Sequence, residues 1–160
     1  MNNEIARYSE ETFESIKHVN EYGNEFWYAR ELQRVLEYTQ WRRFADAIER
    51  AKLACSNSGY SASEHFADVG KSSPMPHGGV RILEDYMLSR YACYLIVMNG
   101  DPRKEVIAVG QTYFAVKTRQ QELIDHYDEL SEDQKRLAIR KEMKVHNKSL
   151  AEAAQKAGVI

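Results

Sequence analysis

A chain of 160 residues with 43% hydrophobic side chains is long enough to bury a core, and it fits one domain with a helical appendage. Its formal charge of −2, from 22 basic and 24 acidic side chains, excludes the broad positive excess of a strong DNA binder but leaves room for a local basic patch. No apolar run approaches the roughly 18 residues of a membrane span, and residues 1–20 lack the basic start and hydrophobic centre of a signal peptide.

Two cysteines, Cys55 and Cys93, make no disulfide framework, so buried free thiols and a cytoplasmic location are expected. The charge is uneven: residues 1–38 carry eight acidic and four basic side chains, the remainder 16 and 18.

Ser9 is placed to cap a first helix, with Glu10, Glu11 and Glu14 near its positive end and Phe13, Ile16 and Val19 as its apolar stripe. Tyr22-Gly23-Asn24 reads as a turn, and the aromatic density of Glu25–Tyr28 suggests a strand. A short helix follows over Ala29–Leu36, with Leu32, Val35 and Leu36 inward. Thr39 is placed to cap the next helix, whose row is Trp41, Phe44, Ile48, Ala51 and Cys55, with Leu53 beside it. Ser61 and Glu64 form a capping-box pattern for a short helix over Ala62–Ala67. Gly70–Gly79, with three glycines and two prolines, is expected to be a mobile loop. Val80, Ile82, Tyr86 and Leu88 then fall at even positions, as in one or two strands that would partner Glu25–Tyr28.

The centre of the chain is Ser89–Glu122. Ser89 is an N-cap for the nearly all-apolar Tyr91–Met98. Gly100 is suited to a left-handed helix end, and Asp101-Pro102 to the start of the next helix. Val106, Val109, Tyr113, Val116, Gln120, Leu123 and Tyr127 form its periodic face. Ser131 and Gln134 open a last helix to about Ala157, followed by Gly158. Ile139, Met143, His146, Leu150, Ala153 and Ala157 give it a heptad-like seam, suited to self-association as a homodimer or to docking. The expected fold is α+β and mainly α: about six helices with a small two- to three-stranded antiparallel sheet. Its core would hold Tyr91, Leu95, Val106, Val109, Tyr113 and Val116, closed by Trp27 and Trp41.

No enzyme constellation, cofactor or metal site is expected. Gly70-Lys71-Ser72 resembles the end of a phosphate-binding loop, but His65 stands where its first glycine belongs. The histidines lack zinc-ligand spacing, and Cys93 lies in the most apolar run, a poor place for a thiolate. The basic clusters are the better candidates. Arg136, Arg140, Lys144 and Lys148 recur every four residues on the last helix, Lys117 and Arg119 project from the helix before it, and Arg42-Arg43 stand beside Trp41. Such stripes suit phosphate contact, and they also describe a solvated helix face. Arg90, at a helix start, is placed to bridge a buried carboxylate such as Glu84 or Asp85.

The stretches LSRYACYLIVMNGDP, QTYFAVKTRQQEL and HNKSLAEAAQKAGV resemble the DNA-damage-inducible protein D family. Members of that family usually run on past Ile160, so the chain is expected to be an N-terminal portion or a short relative. WYARELQRVLEY is similar to the N-terminal domain of BRO-type viral and phage proteins, with Glu37 where their Leu-Gly-Tyr has glycine. Residues 1–127 would then form a BRO-N-like α/β domain with its loop near 70–79, and residues 128–160 a C-terminal helical segment. The first resemblance implies a non-enzymatic regulator of the bacterial SOS response that acts on recombination intermediates. RecA or its DNA filament would be the partner, with single-stranded DNA as a further ligand. The second implies an alternative, an antirepressor-like module that binds a repressor protein.

Overall fold

The computed structural model describes residues 2–127 and 130–156. Among these, helix α1 (Asn2–Thr12) and a 3-10 turn (Glu14–Ile16) lead to strands β1 (His18–Val19) and β2 (Glu25–Tyr28). Helices α2 (Ala29–Val35), α3 (Trp41–Asn57) and α4 (Ala62–His65) follow, then strands β3 (Phe66–Asp68), β4 (Lys71–Pro74), β5 (Val80–Leu83) and β6 (Tyr86–Leu88). Helices α5 (Arg90–Met98), α6 (Glu105–Tyr127) and α7 (Glu132–Lys156) complete the order. The mainly helical α+β class holds. The described residues carry seven α-helices, a four-stranded antiparallel sheet ordered β1-β2-β6-β3, and a separate β4-β5 hairpin.

Residues 10–101 form one unit. Its sheet is registered by Trp27 opposite Leu88 and Phe66 opposite Leu88, so three large apolar side chains meet on one face. Trp27 is fully buried and donates its indole N–H to the Phe13 carbonyl at 2.7 Å. Helices α2 and α5 pack on β2 and β6, and α3 on α5, so that the unit buries Leu32 and Leu36 of α2 and its C-cap, Phe44, Ile48 and Cys55 of α3, and Cys93, Ile96 and Val97 of α5. Ser89 caps α5 as its position predicts, accepting the Ala92 N–H at 3.0 Å.

Several local expectations are corrected. Ser9 lies inside α1, and Val19 sits on a strand, 58% exposed. Gln40, not Thr39, precedes α3, and Leu53 points outward. Ser61 bonds to the Ser63 hydroxyl instead of capping α4, which ends at His65 because Phe66 begins β3. Within Gly70–Gly79, residues 71–74 form a strand, since the turn around Gly78 (φ +85°) folds Lys71–Pro74 back onto Val80–Leu83. Thus β6, but not β5, partners β2. Gly100 is not left-handed: the Asn99 side chain closes α5 by donating to the Leu95 carbonyl at 2.9 Å. Asp101 lies in irregular chain and Pro102 in a turn, and α6 starts at Glu105. On α5 the buried positions lie one along from the expected Tyr91 and Leu95. Ala92, Cys93, Ile96, Val97 and Ile107 are fully buried, whereas Tyr91, Leu95, Val106, Val109, Tyr113, Val116 and Trp41 are half-buried.

The other unit comprises residues 1–9 and the chain from 102 onward. Here α6 and α7 pack on each other, with Leu123 and Leu150 buried. Tyr8 of α1 sets its ring 5.5 Å from that of Tyr113.

Candidate nucleic-acid interface

Helix α7 begins where its sequence predicts. Ser131 and Gln134 exchange bonds, with the Gln134 N–H donating to the Ser131 hydroxyl at 3.4 Å and the Ser131 N–H to the Gln134 amide oxygen at 3.3 Å. This satisfies two donors that the first turn would otherwise leave open. Ile139, Met143, His146 and Ala153 are half-buried and Leu150 buried, so the predicted seam is covered within this chain by α6. Ala157 and Gly158 lie outside the described residues.

With the seam turned inward, the basic stripe faces water. Arg136, Arg140, Lys144 and Lys148 are all exposed, as is Lys141. None of them is ion-paired among the described residues. Each step of four turns about 40° round the helix axis and rises about 6 Å, so the four charges form a gently winding line. Lys117 is exposed on α6.

Arg119 behaves differently. Its guanidinium lies 3.2 Å from the Glu122 carboxylate and 3.5 Å from that of Glu142, and its Nε donates to His146 Nε2 at 3.4 Å. It ties α6 to α7, and two carboxylates offset its charge. Lys117 and the α7 line therefore form the freer cationic set of this unit.

Arg42 and Arg43 are exposed at the start of α3. The preceding Trp41 donates its indole N–H to the Glu84 carboxylate at 3.0 Å. The Arg30 guanidinium stacks 3.8 Å from the Trp41 ring centroid and donates to the Glu84 carbonyl at 2.8 Å. These contacts fix the start of α3 to the foot of the β4–β5 hairpin, whose exposed Lys71 and Arg81 add two further cations. The reading of 70–79 as a loop obscured that hairpin. Its signal in the sequence is a Gly-Gly turn flanked by residues 71–74 and 80–83 without one carboxylate.

Arg90 finds a carboxylate, though neither of those expected. It binds Glu25 through Nε at 2.8 Å and Nη2 at 2.9 Å, and Glu14 through Nη1 at 2.7 Å. Asp85 instead accepts the backbone N–H groups of Arg30 and Tyr86.

Burial pushes the Cys93 thiol far above its ordinary range, which keeps it protonated at neutral pH. Lys71 stands on an exposed strand, its ammonium 5.4 Å from the Tyr28 ring centroid. Among the described residues no three His, Cys, Asp or Glu side chains converge as a metal site, and no helix is long and apolar enough to cross a membrane.

Residues 15–115 match the BRO family, N-terminal domain, and residues 130–160 match the DinD C-terminal domain. Over 149 residues the chain is 52% identical to DNA damage-inducible protein D of Escherichia coli (strain K12), a match covering 92% of this chain and 54% of that protein. The chain thus spans about half the length of the curated relative it matches. No solved structure matches it. With the BRO domain covering most of the sheet-containing unit and the second domain lying on α7, the chain belongs to the BRO family and is similar over most of its length to DNA damage-inducible protein D.

Proposed function

We propose that this chain serves the DNA damage response as a non-enzymatic regulator of recombination intermediates, meeting DNA that is held in a recombinase filament such as that of RecA. The damage-response part follows the name of its relative, DNA damage-inducible protein D. The molecular part is supported by one observation above all: Arg136, Arg140, Lys144 and Lys148 line an exposed side of α7 with no described carboxylate paired to them. Cations left unpaired in this way displace condensed counterions from phosphates and position a protein on a strand without reading its sequence. A formal charge of −2 keeps the affinity for bare DNA low, so the filament protein supplies further contacts.

The test is retention of the chain on three immobilised baits: recombinase alone, single-stranded DNA alone, and the assembled filament. Strongest retention on the filament is expected. Equal, salt-insensitive retention on recombinase with or without DNA would remove DNA from the account. It would point instead to a protein-binding module of the antirepressor kind.

A further inference from the structure

The β4–β5 hairpin is unusual for a protein surface. All eight of its strand residues are exposed, including Val80 at 68% and Ile82 at 71%, and Met75 at its turn is 48% exposed. A lone two-stranded ribbon is marginal in water, and contiguous exposed apolar groups usually mark a surface that something covers. The register sorts its side chains. Ser72 pairs with Ile82 and Pro74 with Val80 on one face, while Lys71 pairs with Leu83 and Ser73 with Arg81 on the other. One face is therefore largely apolar and the other carries two cations.

Charge names the occupant. From Val69 to Leu83 the chain has Lys71, His77 and Arg81 and no carboxylate. The flanking carboxylates are turned to the foot, where Asp68 accepts the Gly70 N–H and Glu84 accepts the Trp41 indole N–H. Beside that foot stand the exposed Arg42 and Arg43. An acid-free ribbon with a basic collar is complementary to a polyanion. Its apolar face and its Met75-Pro76 tip ask for more than phosphate, and the deoxyribose walls and base steps of a minor groove supply it. Proteins that grip the minor groove combine basic side chains with Met, Pro or Ile wedges that part a base step. Paired strands lie about 5 Å apart, so a ribbon of this kind fits along a groove widened by such a bend.

We propose that the β4–β5 hairpin is an arm for the minor groove of duplex DNA, with Lys71 and Arg81 on the flanking phosphates and Met75-Pro76 as a wedge. This rests on the reading that the chain meets DNA, and it adds a duplex-directed contact distinct from the α7 line.

The test is fluorescence anisotropy of the full chain with a labelled A·T-rich duplex and with its single strand, across a salt series. In the Lys71→Ser/Arg81→Ser variant the duplex salt slope should shrink by up to about 1.8, at about 0.9 per lost phosphate contact, while single-strand binding stays as in the wild type. Distamycin, which fills the minor groove, should displace the wild-type chain. Met75→Gly/Pro76→Gly should reduce the bend read by energy transfer between the duplex ends. Because the hairpin is exposed, these variants are expected to keep the far-ultraviolet circular dichroism of the wild type. Duplex binding unchanged in Lys71→Ser/Arg81→Ser, or a complex that survives distamycin, overturns the arm. So does a hairpin variant that binds duplex normally but changes oligomeric state, which would give the apolar face to a second copy. If the wild type binds neither form of DNA, the parent reading falls with it. If the wild type binds duplex and the hairpin substitutions leave that binding unchanged, the arm falls alone.

Discussion

Arg90 holds Glu25 through two nitrogens, at 2.8 and 2.9 Å, joining residues 65 positions apart. The same guanidinium reaches Glu14 and lies 5.0 Å from the Trp27 ring centroid. One side chain at the start of α5 thus links the 3-10 turn, β2 and the buried tryptophan. Arg90 holds the carboxyls of both Glu14 and Glu25 below their ordinary value of 4.5. A carboxylate depressed on folding adds stability that is complete above its unfolded value and lost as pH falls through its folded one. Wild-type stability should therefore decline below about pH 4.5. Arg90→Gln should cost about 1–2 kcal/mol at neutral pH, discounted for partial exposure, and should flatten that acid decline. Denaturant midpoints at neutral and acid pH check this; parallel pH profiles for the two proteins would contradict it.

Helix α5 supplies the clearest test of the core. Ile96 is fully buried while its neighbour Leu95 is only half-buried. Ile96→Ala should cost about 2–5 kcal/mol. Leu95→Ala should cost clearly less, because part of its surface already meets water. Chemical denaturation of the two variants checks the order, and the reverse order would place the core on the other side of α5.

Glu37 sits at φ +61°, the left-handed region that side chains other than glycine enter at a cost of about 1–2 kcal/mol. This is where BRO-type sequences carry glycine in Leu-Gly-Tyr, and the backbone supplies the reason. The chain reverses after α2 so that Tyr38 can bury itself and accept the Asp101 N–H at 3.0 Å. Glu37→Gly should stabilise the protein by about 1 kcal/mol, because relief of strain outweighs the extra freedom of the unfolded glycine. Thermal unfolding measures this, and a lower midpoint would show that the Glu37 side chain contributes more than its backbone costs.

What the sequence revealed follows physical range. Several features set by neighbours in the chain were legible, namely the Ser89 cap, the Ser131–Gln134 box, the EFWY strand and the inward row of α3, whereas the equally local caps expected at Ser9, Thr39 and Ser61 did not form. Features set by distant partners were not legible. Phe66-Ala67-Asp68 becomes a strand because β6 offers it a ladder, and nothing in three residues announces that. Lys71–Pro74 reads as a loop until Gly78 turns the chain and Val80–Leu83 supplies its partner. Arg119 has the spacing of a free surface cation, yet Glu142 lies 23 positions away in the sequence and 3.5 Å away in space. The α7 line was legible because exposure follows directly from the opposing seam.

On the proposed function, the basic side of α7 meets phosphate. Anisotropy of the chain with a labelled single strand across a salt series tests it most directly, comparing wild type with Arg140→Ala/Lys144→Ala. Both positions are exposed and helical, and alanine favours the helix, so the variant should stay folded. The predicted result is weaker binding with a salt slope smaller in magnitude by up to about 1.4, at roughly 0.7 per lost single-strand contact. A folded variant that binds as tightly as wild type with an unchanged slope would show that the line is only a solvated face, contradicting the claim.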